Sequence, residues 1–154
     1  LGYTHAGLFY TISAVSMIII RMISKHFMDT VPAIKTMTGA VACGILCCLM
    51  LLAAPYGEPV FLASGIFYGL ATGISLPLNQ SVAVKYTPPE RWGAANALFL
   101  LANDIGIGFA SVIWGVINDS FGFQTSIVCV IVCLIASYAS AWIVYPARDK
   151  RWRH

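Results

Sequence analysis

Asn103 and Asp104 stand side by side inside ALFLLANDIGIGFASVIWG, a stretch otherwise apolar or small from residue 97 to residue 115. A carboxylate in hydrocarbon costs about 3 kcal/mol on insertion scales, so a chain that keeps one there uses the charge or offsets it. Such a group can take up and release a proton during a cycle, or meet a cationic solute. The packing alternative is a cap or hydrogen bond to a neighbouring helix. At about 100° per residue, Gly93, Ala97, Leu100, Gly108, Ser111 and Gly115 share the face centred on Asp104. Leu98, Leu101, Ile105, Phe109, Val112 and Val116 form an apolar face, and Asn96, Asn103 and Trp114 lie on the other flank. Asp104, Asn103 and Asn96 are therefore candidates for coupling or gating.

A second constellation lies upstream, in EPVFLASGIFYGLATGISLPLNQSVAVK. Tyr68, Thr72, Ser75 and Asn79 fall on one helical stripe, and a polar stripe in a membrane helix faces the bundle interior or a water-filled cavity. The stripe lines a solute path or hydrogen-bonds between helices, and the two roles are compatible. Gly65, Gly69 and Gly73 recur every four residues, a spacing that lets helices approach closely in lipid. Pro77 removes a backbone donor and predicts a kink in the inner half of this helix. The cysteine pairs Cys43/Cys47 and Cys129/Cys133 have no His or carboxylate beside them in sequence, so with Cys48 they read as small buried hydrophobes. No metal or cofactor is expected. His5 titrates in the range for proton handling, although an exposed helix-end histidine is the plainer reading.

Long apolar helices are needed to hold these residues, and the composition supplies them. The chain has 154 residues, 59% hydrophobic and only 10% charged, against about 25% charged in soluble domains. Its mean hydropathy is +0.81. Five apolar runs predict an all-α polytopic membrane protein with spans near 4–21, 36–54, 60–85, 93–117 and 124–145, then a cytoplasmic basic tail at 146–154. A basic leader with a small-residue cleavage site is not seen. The chain starts with Leu1 and enters its first span at once, which we read as the C-terminal piece of a longer protein.

Charge placement orients the spans. Arg21, Lys25 and Lys35 fall between the first and second, Lys85 and Arg91 between the third and fourth, and Arg148, Lys150, Arg151 and Arg153 in the tail. The connections 55–59 and 118–123 contain no basic residue. Positive loops stay in the cytoplasm, so the chain enters from outside and its C-terminus lies inside. Asp104 then sits about 18 Å into the bilayer, near its middle. No basic residue of this chain shares that depth, so an ionic partner would come from the rest of the protein. The short basic tail reads as a solvated or headgroup-anchored end, not a nucleic-acid site.

Three segments carry a resemblance to a known family. RMISKHFMDTVPAIK, residues 21–35, is similar to a cytoplasmic loop pattern R-x-x-x-G-R-x-x-D-R-x-G, with Arg21 and Asp29 matching and His26 in the next basic position. Lys25 and Pro32 occupy its glycine positions and Thr30 its second arginine. YTPPERWGAANALF is similar to P-x-E-R-x-G-x-A-N through Glu90, Arg91, Gly93, Ala95 and Asn96. NDIGIGFASVIWG matches a D-x-G-x-G…G run through Asp104, Gly106, Gly108 and Gly115. The chain thus resembles the eighth to twelfth helices of a bacterial, drug-efflux-like major facilitator superfamily transporter.

The resemblance implies about twelve helices in two halves, with the solute site between them near the midplane. It implies a secondary active transporter of small organic solutes, working by alternating access in the cytoplasmic membrane, proton-coupled, with efflux favoured. Protons, a small solute, the lipid bilayer and the N-terminal helices are then its partners. Glu90 and Arg91 could form state-dependent ion pairs, and the glycine-rich faces suit helices that slide. A small helical membrane subunit or assembly protein without transport of its own is the alternative. No enzyme is expected: there is no phosphate-binding glycine loop after a strand, no HExxH and no nucleophile–base pair, and one acid without a second acid or metal set does not make an intramembrane enzyme.

Overall fold

The computed structural model describes residues 6–30, 33–85 and 87–149, with side chains for 7–24, 33–55, 57–85 and 87–143. It is all-α: helices α1 (Ala6–Thr30), α2 (Ala33–Leu52), α3 (Glu58–Lys85) and α4 (Trp92–Asp149) follow one another, with 3-10 turns at Ala54–Tyr56 and Pro89–Arg91. Among the described residues, four helices are long and apolar enough to cross a membrane, within Gly7–Ser24, Ala33–Leu52, Glu58–Lys85 and Pro89–Ile143. His5 and residues 150–154 of the expected tail lie outside the described residues, while 146–149 continue α4.

Helix α1 runs past its expected end. Residues 21–30 contain no glycine or proline, so nothing breaks the helix until Thr30, shortly before Pro32. A residue preceding proline is pushed out of the helical region. The expected loop around Arg21 is therefore largely helical. Pro55 is the second residue of the first 3-10 turn, and Glu58 in the first turn of α3 suits the positive helix end there. Helix α3 continues through Pro77; the proline ring withdraws the donor that the Gly73 carbonyl would otherwise accept from.

Two expected spans, 93–117 and 124–145, fall inside the 58-residue α4. A straight helix would carry residue 138 roughly 60 Å past residue 96. Yet Asn96 bonds Gln80 of α3, while Tyr138 packs on the Met37, Val41 and Leu78 cluster, and Leu78 is Gln80's near neighbour on α3. The chain must therefore reverse within α4. Gly122 is the non-helical position, at φ 82° and ψ 168°, a backbone conformation open to glycine and strained for other residues. It divides α4 into a first leg and a second leg.

Helix α3 is central, packing along both α1 and α2, while the second leg of α4 lies against α2. The α1–α3 seam is close. A Cβ added at Gly69 would strike the Ser13 carbonyl and stand 2.7 Å from Ser16 Cβ; one at Gly73 would strike Ile20 Cγ2 and stand 3.3 Å from Met17 Cα. Phe9 and Phe61 stack across the same seam with ring centroids 5.0 Å apart. Buried hydroxyls of the two helices donate to their own backbone, Ser13 to Phe9 O at 2.7 Å and Ser64 to Phe61 O at 2.6 Å, which satisfies them without water.

Candidate functional site

The polar stripe of α3 opens onto a cavity of about 410 Å³ between α2, α3 and the second leg of α4. Tyr68, Thr72, Ser75 and Asn79 line one wall. Met37, Ala40, Val41 and Leu51 of α2 line a second, with Cys47 and Cys48 among them, and Val130, Leu134 and Ser137 the third. The volume is within the range of about 300–1,000 Å³ common to small-molecule sites, and an apolar lining with a few polar groups is their usual chemistry. Thr72 Oγ1 donates to Tyr68 O at 2.8 Å, and Ser75 Oγ donates to Ala71 O at 2.7 Å. Their protons are thus committed to the helix, and the oxygens keep lone pairs as acceptors.

Beside two of the cavity's lining residues, Met37 and Val41, three side chains tie α2 to the second leg. Thr38 Oγ1 donates to Ile34 O at 2.8 Å. With that proton used, the 2.8 Å contact between Thr38 Oγ1 and the Tyr138 hydroxyl has Tyr138 as donor. Trp142 Nε1 in turn donates to the Tyr138 oxygen at 2.8 Å. The relay joins the start of α2 to the second leg, next to the buried Met37, Val41 and Leu78.

The first leg of α4 is a different surface. Asp104 is exposed and Asn103 half-buried. Ideal Cβ positions at Gly106, Gly108 and Gly115 meet nothing within 4 Å. Leu98 is 67% and Phe109 69% exposed. Asn96 stands apart from this pattern: Gln80 Nε2 donates to its Oδ1, tying the start of the leg to the end of α3. The connection itself is stiffened by Trp92 Nε1, which donates to Thr87 O at 3.0 Å. Glu90 and Arg91 are exposed on the intervening turn, and so is Arg21 on α1. The side chain of Asp29 lies outside the described residues.

The stripe is thus gathered at a cavity, the glycines of α3 are packed, and Asp104 is exposed on the first leg. Apart from Cys47 and Cys48, sequence reasoning did not single out the residues of the α2 and second-leg walls. Thr38, Tyr138 and Trp142 were equally silent, since their partnership links residues a hundred positions apart. The i,i+4 spacing of Tyr138 and Trp142 was the only local signal.

Bundled apolar helices of membrane-crossing length define a polytopic membrane protein. The Major Facilitator Superfamily model matches residues 1–154, and the chain belongs to that family. It is accordingly a multi-pass membrane protein. It is similar to a staphylopine export protein of Staphylococcus aureus, 26% identical over 96% of this chain. The chain spans 39% of that relative's length. No solved structure matches it.

Proposed function

We propose that this chain forms five crossings of the C-terminal half of a secondary transporter that exports small organic solutes by alternating access, coupled to protons. Both legs of α4 cross the membrane, the basic connections and the C-terminus lie in the cytoplasm, and N-terminal helices supply the other half of the translocation path. The cavity carries this reading, because it turns the Tyr68, Thr72, Ser75 and Asn79 stripe toward a space of solute size. The export direction draws on the name of the Staphylococcus aureus relative. Asp104 is the coupling group, on a helix face that the N-terminal helices cover.

The test is transport by the full-length protein in proteoliposomes, with an imposed pH gradient and an internal pH dye reading proton flux evoked by a panel of small organic solutes. Asp104→Asn is expected to abolish the solute-evoked proton flux while leaving the folded yield intact. Undiminished flux at several pH values would remove Asp104 from the mechanism. Single cysteines placed near Lys85 and in the tail should both react from the cytoplasmic side with an impermeant maleimide; opposite sidedness would overturn the topology.

A further inference from the structure

The inner turn of α3 meets three neighbours with three consecutive side chains. Leu78 is buried against Met37 and Val41 of α2. Asn79 lines the cavity. Gln80 Nε2 donates to Asn96 Oδ1 at the start of the first leg. Successive side chains on a helix stand about 100° apart, so one short segment can face a helix, a cavity and a second helix at once. Pro77 comes immediately before and leaves the Gly73 carbonyl without its helical donor. A helix bends most easily at such a break. It separates the outer part of α3, set against α1 at Gly69 and Gly73, from the inner turn.

From this juxtaposition we infer that Gln80 is a positioning residue: through Asn96 it ties the leg that carries Asp104 to the cavity wall at Asn79. The inference rests on Asp104 as the coupling group and on the cavity as part of the solute path, and names what joins them. Asn96 and Asp104 are eight residues apart on one helix, about 12 Å along its axis, and a helical segment that short tilts as a unit. This chain does not wedge the leg near Asp104, since Cβ positions at Gly106 and Gly108 meet nothing within 4 Å. A tilt of the leg on a change of charge at Asp104 pulls on Gln80. The break at Pro77 lets the inner turn follow, with the buried Leu78 as pivot, and Asn79 moves in the cavity wall.

The probe is N-ethylmaleimide, and its target is Cys48, a buried thiol of the cavity lining. The full-length protein is prepared in lipid nanodiscs with Cys48 as its one cysteine. Asp104→Asn holds the leg in its uncharged state and should change the Cys48 alkylation rate about fivefold, the low end of ordinary coupling between sites. Gln80→Met keeps the length and removes the amide, and should cancel that change. Asn96→Leu should do the same from the other side. Thermal unfolding shows which variants are folded. A merely structural bond would lower the melting temperature and leave the effect of Asp104→Asn in place.

Equal alkylation rates with and without Asp104→Asn would overturn the inference. So would a change that persists in a folded Gln80→Met or Asn96→Leu variant, which would place the link in the Thr87–Trp92 connection. The full pattern in a protein that shows no solute-evoked proton flux would uphold the link and remove the transport reading.

Discussion

Helices α3 and the first leg of α4 each carry a ridge of glycines and a polar stripe, and they end in opposite situations. On α3, Gly69 and Gly73 are so close to α1 that an added methyl would collide with Ser13 and Ile20. On the first leg, Gly106, Gly108 and Gly115 meet open space. A small-residue ridge lets a partner come near but does not supply one. For α3 the partner, α1, lies more than fifty positions upstream in the same chain, at Ser13 and Ile20. For the first leg we assign it to the N-terminal helices, consistent with a chain that spans 39% of its relative's length. The cost of leaving the first leg uncovered is also chemical, because Asp104 stays on its exposed face.

Substitutions can break or sharpen this contrast. Gly69→Leu should be the most damaging, at about 3 kcal/mol or more, because the obstacle is the Ser13 backbone oxygen and cannot rotate away. Wild-type thermal stability of that variant would show that α1 and α3 do not meet there. Gly73→Ala meets a more forgiving neighbour, the end of the Ile20 side chain, and should cost roughly 1–2 kcal/mol, read as a lowered melting temperature of the full-length protein. Tyr138→Phe removes the relay between α2 and the second leg and should cost about 1 kcal/mol; no loss of stability would mean that the relay ties nothing. Gly106→Ala gives the smallest effect and the most informative sign. With open space at Cβ it should gain up to about 1 kcal/mol of helix propensity. In the full-length protein we expect that gain to vanish or reverse as a partner helix occupies the face, and a gain at full size would place the leg against lipid.

The membrane helices were legible because hydropathy is a local property. So was the α3 stripe, since helical spacing alone puts Tyr68, Thr72, Ser75 and Asn79 on one side. The far walls of the cavity were not, because Met37, Val41 and Leu134 look like any lipid-facing residues until another helix is laid against them. The boundary between the last two spans was visible as a polar stretch at 118–123, yet helix runs up to and away from Gly122 with one break, so the helical run was longer than hydropathy suggested. Near Arg21 the opposite held: charge marked a loop, but backbone preference kept the chain helical to Thr30.

Residue order alone settled the class of the molecule: all-α, membrane-crossing, with a carboxylate and two glycine ridges at stated places. These follow from periodicity and transfer energy, which act over a few turns. Packing chose which ridge is filled, where the α3 hydroxyls look, and how α2 and the second leg join. Those outcomes depend on contacts between residues far apart in the chain, such as Thr38 with Tyr138, and no local pattern encodes them.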